Sequence, residues 1–238
     1  MMEISRTSDV PYPTACRIVQ TLLFEGLIEK ENARKRYRPA ALVQTLAHGF
    51  QGYAALATAA RPHMVDLTRR IGWPISLSTP IGHSMVLRDS THGMSALTFN
   101  NYYPGHSFPM LESASGLVYL AHMPDDERKD LLDALKLLPR RDKSHTIALL
   151  ETTDFTAGIR RAGIACRSNN QFTRNPGKTS SIAAPVFEDS VLTGAVTMAF
   201  FSIAMKMDEA IERFAGPLNE TAAAISRSCC SVELLAAE

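Results

Sequence analysis

The sequence predicts an α+β protein in which a small basic part precedes a larger domain built on an antiparallel sheet. Two observations predict this class. Strand-like segments lie at both ends of the larger part with helical segments between them, a pattern typical of helices packed on an antiparallel sheet. Charge is also uneven, because residues 1–39 hold seven basic and five acidic side chains and the remainder is slightly acidic. This asymmetry indicates two functional parts, with the part that attracts anions first.

The overall composition is that of an ordinary globular protein. The chain has 238 residues, with 25 Lys and Arg against 24 Asp and Glu, and 45% of the residues are hydrophobic. A formal net charge of +1 excludes a chain held to nucleic acid or membrane by overall charge, so any such binding must be local. Because we find no membrane span, no secretory signal and no disulfide framework among the four cysteines, we expect a reduced, cytoplasmic protein.

The N-terminal part predicts two helices separated by a turn. Residues 2–7 are helical in character, and residues 8–11 break the pattern. A second helix opens at Pro13, whose fixed φ suits a first helical turn, and Gly26 is placed to end it. Its apolar face repeats every three or four residues and comprises Ala15, Ile18, Val19, Leu22 and Leu23.

A basic hairpin follows the second helix. Residues 27–30 and 36–38 predict two short strands, and Pro39 ends the second. Helix, turn, helix and hairpin together predict a winged helix-turn-helix, although the basic turn alone could be only a solvated loop. In that fold the second helix lies in the major groove and the hairpin tip lies over phosphate. The DNA-binding candidates are Tyr12, Pro13, Thr14 and Arg17 on the helix, and Arg34, Lys35, Arg36 and Arg38 on the hairpin.

The larger part predicts a mixture of helices and strands. Residues 40–60 form a linker helix, and a long helix follows that is broken near Arg61-Pro62. The predicted strands are residues 75–80, 84–89, 96–101, 182–187 and 192–201, with a turn at 188–190. The predicted helices are residues 113–123, 125–138, 145–162 and 207–230. The linker carries an apolar stripe of Leu42, Leu46, Phe50 and Tyr53, which predicts a homodimer or tetramer through residues 40–60.

Known catalytic motifs are incomplete in this sequence. Residues 177–180 (GKTS) look like the end of a phosphate loop, but Phe172 stands where that motif needs a glycine. No G-x-S-x-G elbow surrounds Ser113 or Ser115, and the seven histidines show no metal-binding spacing. We therefore expect neither an enzyme nor a metal or cofactor site.

Several segments in order resemble the IclR-type bacterial transcriptional regulators. The similar segments are residues 10–22, 26–28, 36–38, 108–110, 115–116, 159–163 and 181–186, which span nearly the whole chain. The resemblance implies a winged helix-turn-helix over residues 1–39, a linker helix over 40–60 that helps dimerise, and a GAF-like effector-binding domain with an antiparallel sheet over 61–238.

The resemblance also implies the partners and the effector pocket. The partners are double-stranded operator DNA and a small aromatic carboxylic acid, and dimers pair into tetramers. From the composition we also expect no membrane partner. Carried over by position, the pocket is lined by Ala96, Phe99, Phe108, Ala114, Ser115, Gln171, Ser181, Thr197 and Ala199. Phenylalanines suit a ring, and hydroxyls near a helix start suit a carboxylate.

We expect a ligand-responsive regulator of transcription without enzymatic activity. A winged helix-turn-helix usually has a further helix ahead of these two, so we also expect that the fold's first helix is missing, through truncation or a start codon set too far downstream. The alternative is a small-molecule-binding or enzymatic α+β domain with a vestigial DNA-binding segment. The basic hairpin and polar helix face favour regulation, and the absent helix favours the alternative.

Overall fold

A computed structural model describes residues 1–31, 36–43, 53–98, 102–137, 144–173 and 175–236. The chain divides into two compact units, Met1–Tyr53 and Ala54–Glu238. Across the described residues, no helix is both long and apolar enough to cross a membrane.

The N-terminal unit contains two helices and a two-stranded hairpin. Its elements are α1 (Met2–Thr7), α2 (Tyr12–Phe24), β1 (Ile28–Lys30) and β2 (Tyr37–Pro39), and the two strands pair antiparallel. Gly26 ends α2 as predicted, with a φ of +69°. Its N–H donates to the carbonyl of Leu23, and the N–H of Leu27 donates to that of Leu22. This is the Schellman arrangement, which favours glycine because it needs a left-handed residue.

The apolar face of α2 is narrower than the sequence predicted. Ala15 and Val19 are buried, whereas Ile18 is 48% exposed. The prediction for Ile18 was therefore wrong. Among the described residues α1 and β1 pack on α2, and they cover the side that carries Ala15 and Val19. The exposed side carries Ile18 beside Thr14 and Arg17.

The second unit is a six-stranded antiparallel sheet in the order β5-β4-β3-β8-β7-β6. Its strands are β3 (Ile75–Ile81), β4 (Ser84–Ser90), β5 (Ser107–Pro109), β6 (Ala165–Arg167), β7 (Thr179–Glu188) and β8 (Val191–Phe201). Its helices are α3 (Ala54–Ile71), α4 (Ala114–His122), α5 (Asp125–Lys136), α6 (Ser144–Glu151), α7 (Thr153–Ala162) and α8 (Met207–Ala236). The fold class is therefore α+β, as predicted.

Helices cover both faces of this sheet. The buried residues of α4 form one hydrophobic cluster with Ala183 and Ala195, which lie on one face of β7 and β8. Alternation along a strand places Ile182 and Val196 on the opposite face, where α3 and α8 pack together and against the strands. All four of these strand residues are fully buried. The cavity described below opens on the α4 face, beyond the first turn of α4.

The predicted break near Arg61-Pro62 does not occur, because α3 continues through Pro62. Proline removes one helical hydrogen bond, but Pro62 is exposed and the carbonyl left without a partner can reach water. Leu56 and Ala60 before it and Met64 after it are all fully buried. Packing of these residues on α8 and the sheet holds the helix together across the proline.

Two further predictions were wrong in detail. Residues 96–98 form a bend rather than a strand, because the Ser95 hydroxyl donates to the carbonyl of Gly72 and accepts from the N–H of Leu97. The rest of the predicted 96–101 strand lies outside the described residues, and β5 pairs with β4 instead. The predicted helix 145–162 is two helices, separated by Thr152 in an extended conformation. The sequence also gave no sign of β6.

Candidate functional site

A cavity opens in the second unit, between the sheet and the first turn of α4. Its empty space, including the open mouth, is about 760 Å³. The described residues that line it are uncharged at neutral pH: Pro74, Ser76, Ser78, Leu87, His92, Leu97, Thr98, Tyr102, Phe108, Ser113, Ala114, Ser115, Asn170, Thr173, Asn175, Thr179, Ser180, Ser181, Thr197, Ala199, Phe200 and Phe201. Hydroxyls, amides and aromatic rings therefore determine what this cavity can hold.

The floor of the cavity carries two buried hydroxyls that lack partners. Ser76 pairs with Thr197 across β3 and β8, and Ser78 lies two residues further on the same face of β3. Among the described residues, neither Ser78 Oγ nor Thr197 Oγ1 makes a hydrogen bond, although both atoms are buried. A buried polar atom without a partner costs about 1–3 kcal/mol. A ligand oxygen placed between them would relieve that cost.

The first turn of α4 forms one wall. The Ser113 side chain caps this helix by accepting from the N–H of Gly116 at 3.1 Å, and it also accepts from the Ser115 hydroxyl at 3.2 Å. The first N–H groups of a helix have no carbonyl partner within the helix, and here these belong to Ala114 and Ser115. Together with the helix dipole they favour an anionic oxygen.

An ion pair with a buried carboxylate lies directly before this helix. The carboxylate of Glu112, which is 6% exposed, accepts from the guanidinium of Arg167 on β6. Burial lowers the pKa of Arg167 from its ordinary value. Because the pair neutralises Glu112, the carboxylate does not oppose an anion at the start of α4.

Another part of the cavity lining is aromatic. The ring of Tyr102 lies 5.0 Å from that of His92, 4.9 Å from that of His106 and 5.6 Å from that of Phe108. These edge-on and tilted contacts are the arrangements that aromatic rings prefer. Burial lowers the pKa of His92 from 6.5 to about 4, so its ring is neutral at pH 7. The wall can therefore face a planar ring without adding charge.

A loop between β6 and β7 closes the remaining side. Asn170 is 6% exposed, and its Oδ1 accepts from the N–H of Phe172. Its backbone N–H donates to the carbonyl of Thr179, which ties the loop to β7. The Ser180 hydroxyl accepts from the N–H of Asn169 and bonds to the Ser202 hydroxyl. These bonds hold polar side chains at the cavity edge.

Six of the nine residues expected in an effector pocket line this cavity: Phe108, Ala114, Ser115, Ser181, Thr197 and Ala199. Two others do not line it. Ala96 is exposed in the bend after β4, and Gln171 is exposed with its amide donating to the carbonyl of Asn169. Phe99 lies outside the described residues. The structure thus brings together residues from β5, α4, β7 and β8.

Two prominent lining residues were not predicted. Ser78 alternates with Ile75 and Leu77 along β3, and a polar residue on one face of a central strand was the available signal. His92 was grouped with the other histidines, and no sequence signal separated it from them. Its burial and its neighbours depend on contacts between distant segments.

The DNA-binding candidates lie on the N-terminal unit. Tyr12, Pro13, Thr14 and Arg17 are all exposed on α2. A hydrogen bond with Cys16 is the largest cause of a raised pKa at Tyr12.

On the hairpin, Arg36 is exposed, and Arg38 forms a 2.8 Å ion pair with Glu29 on the neighbouring strand. Arg34 and Lys35 lie outside the described residues, as do Leu46 and Phe50 of the predicted linker stripe. Leu42 of that stripe is 45% exposed.

Comparison with known proteins identifies the family. Residues 52–227 match the family model described as "Bacterial transcriptional regulator IclR C-terminal". HTH-type transcriptional regulator TsaQ1/TsaQ2 of Comamonas testosteroni is 26% identical over 135 residues, which are 56% of this chain and 49% of that protein. The chain thus matches about half the length of that relative. Probable transcriptional regulator SauR of Cupriavidus necator is 26% identical over 87% of this chain and 80% of its own.

Solved structures share the fold. An IclR homolog from Microbacterium hydrocarbonoxydans, complexed with 4-hydroxybenzoate, has a TM-score of 0.70 at 22% identity and covers 96% of this chain and 90% of its own. The matched proteins are described as transcriptional regulators and not as enzymes. The family model covers well over half of the sequence, so the chain belongs to the IclR family of bacterial transcriptional regulators.

Proposed function

We propose that this chain is an effector-responsive regulator that binds operator DNA through a winged helix-turn-helix in residues 1–39 and a small aromatic carboxylic acid in the cavity. The observation that carries the effector is the pair of buried hydroxyls without partners, Ser78 and Thr197, in the same cavity as the first turn of α4. Residues 40–60 are proposed as the linker that joins chains into dimers or tetramers.

The chemistry of the cavity supports an aromatic acid. A carboxylate has two acceptor oxygens, which match the N–H groups of Ala114 and Ser115 together with the hydroxyls on the floor. An aromatic ring matches Tyr102 and Phe108 in the cavity lining. A ligand of this class uses both sets of groups at once, whereas inorganic phosphate would leave the aromatic residues unused.

We propose a narrower relationship on sequence grounds. Residues 73–74, 87–92 and 114–117 resemble the activator of 3-(3-hydroxyphenyl)propionate catabolism more than other members of the family. The 4-hydroxybenzoate bound by the Microbacterium protein is likewise an aromatic acid. Both observations favour control of an operon for aromatic-acid breakdown.

DNA binding is proposed for the exposed polar face of α2 and the hairpin. Arg17 and Thr14 lie on one exposed side of α2, where they can reach base edges in a major groove. Arg36 is exposed at the base of the basic turn, where it can meet phosphate. An effector that binds one arrangement of the sensor units better than another would shift the spacing of paired recognition helices, and operator affinity with it.

Calorimetric titration of the full chain with benzoate, 4-hydroxybenzoate and 3-(3-hydroxyphenyl)propionate tests the effector. We expect at least one of them to bind, and we expect Ser181→Leu to weaken its affinity tenfold or more, because leucine removes a hydroxyl and fills part of the cavity. Val191→Ala, at the exposed first residue of β8, which does not line the cavity, is the control. Failure of all three acids to bind would overturn the proposed effector class.

A further inference from the structure

His92 presents one ring nitrogen to the cavity. The side chain is 5% exposed and lines the cavity beside Tyr102. Its Nδ1 contacts the Ser90 hydroxyl at 2.5 Å, whereas its Nε2 makes no hydrogen bond to the described residues. The ring is therefore fixed on one side and free on the other.

The Ser90 contact favours one position for the ring proton. Ser90 Oγ accepts from the backbone N–H of His92 at 3.1 Å. Among the described residues, the acceptor within reach of the Ser90 hydroxyl proton is Nδ1 of His92. With Nδ1 accepting, the proton of a neutral imidazole is on Nε2. Burial lowers the pKa of His92 to about 4, so this neutral form persists at pH 7. Nε2 is then a hydrogen-bond donor that needs an oxygen acceptor.

Along β3, His92 and Ser78 lie at different levels of the cavity. Thr91, next to His92, accepts from the N–H of Ile75 at the start of β3, whereas Ser78 lies three residues further along that strand. Three residues of a strand extend about 10 Å. A benzene ring between a carboxylate at the Ser78 end and a hydrogen bond of about 3 Å at the His92 end fits this separation.

We propose that His92 is a specificity-determining residue of the effector site, whose Nε2–H donates a hydrogen bond to a ring hydroxyl of a hydroxyaromatic carboxylic acid. This inference rests on the proposed function, because it names the substituent that the same cavity selects. A ligand without an acceptor at that position leaves this donor unpaired inside the cavity, and sites that hydrogen-bond a ligand group reject ligands that lack it more strongly than sites that only fit a shape.

The experiment compares three acids that differ at one ring position: 4-hydroxybenzoate, benzoate and 4-methylbenzoate. The methyl compound matches the volume of the hydroxyl but offers no acceptor. Calorimetry on the full wild-type chain should show 4-hydroxybenzoate binding about tenfold tighter than either other acid, which corresponds to one hydrogen bond of about 1.4 kcal/mol. The same preference is expected for 3-(3-hydroxyphenyl)propionate over 3-phenylpropionate if the longer acid is the better fit.

Two variants assign the preference to His92. His92→Leu should erase the preference while benzoate binds at least as tightly as to the wild type, and His92→Gln should retain part of it, because its amide also donates. Fluorescence of Trp73 checks that each variant is folded. If His92→Leu does not fold, the wild-type preference and the His92→Gln result decide.

The outcomes separate the two proposals. Equal affinity of the wild type for hydroxylated and plain acids would overturn the role of His92 and leave an aromatic-acid effector standing. A preference that survives intact in His92→Leu would do the same. Binding of none of the acids would overturn the effector class, and the His92 inference with it.

Discussion

Replacement of His92 by glutamine should change how the stability of the second unit depends on pH. Burial lowers the pKa of His92 from 6.5 to about 4 in the folded protein. Between these values the unfolded chain binds a proton that the folded chain does not, so the free energy of unfolding falls as pH falls from 6.5 to 4. The gap corresponds to about 3 kcal/mol, most of it lost by pH 4 and almost none of it by pH 7. Glutamine does not titrate, so the variant lacks this loss.

The single tryptophan provides the assay. Trp73 is 8% exposed and lies edge-on to Phe200 and Phe201 at 6.2 and 5.6 Å, so its fluorescence reports unfolding of the second unit. Urea unfolding at pH 7.5, 6.0, 5.0 and about 4.5 should show the wild type losing about 2–3 kcal/mol more than His92→Gln. Burial also lowers the pKa of His122, but that residue is present in both proteins and cancels in the difference.

An exposed histidine gives the matched control. His83 lies exposed in the turn between β3 and β4, and His83→Gln should follow the wild-type pH curve. If His92→Gln also ran parallel to the wild type from pH 7.5 to 4.5, the buried, neutral state of His92 would be refuted, and the hydrogen-bond donor inferred at Nε2 would lose its basis.

Three other predictions concern packing, DNA and assembly. Gly116→Ala should lower the free energy of unfolding in urea by at least about 2–3 kcal/mol, because the new Cβ would lie 1.9 Å from the backbone oxygen of Met110. The control Gly158→Ala adds a Cβ that meets nothing within 4 Å, and it should raise the free energy of unfolding by about 0.5–1 kcal/mol. Equal effects of the two variants would contradict the close approach of α4 to Met110. Binding to the DNA upstream of the native gene is measured at increasing salt concentration. Arg17→Ala should reduce the difference in binding free energy between operator and unrelated DNA by about 1–3 kcal/mol, whereas Arg36→Ala should weaken binding to all sequences alike and lower the slope of log affinity against log salt by about one. The reverse pattern would contradict the assigned roles. Light scattering at micromolar concentration should give the mass of a dimer or tetramer. Leu42→Lys should reduce that mass, because Leu42 is 45% exposed in the single chain and a lysine there would place a charge in the proposed interface. A monomeric mass for the wild type would refute the linker interface.

Features that depend on neighbours in sequence were predictable from the sequence. Gly26 ends α2 because a left-handed residue is needed there, and Asp189 and Ser190 form the turn between β7 and β8 with positive φ values. The helix that starts at Ala114 follows a serine that caps it. The family resemblance also rested on short sequence segments that occur in the same order as in the family, and the family model matches residues 52–227.

Features that depend on contacts between distant segments were decided by the tertiary structure. Pro62 stays inside a helix because Leu56 and Met64 are buried on both sides of it, and no local rule states that burial. Ser78 and His92 became prominent because β3, β4 and β8 bring their side chains to one cavity, where one lacks a partner and the other loses its charge. The sequence determined which chemical groups were present and where local hydrogen bonds end the helices and strands. Burial determined which of them were left without water, and only the folded chain sets burial, because it is a property of all the surrounding segments together.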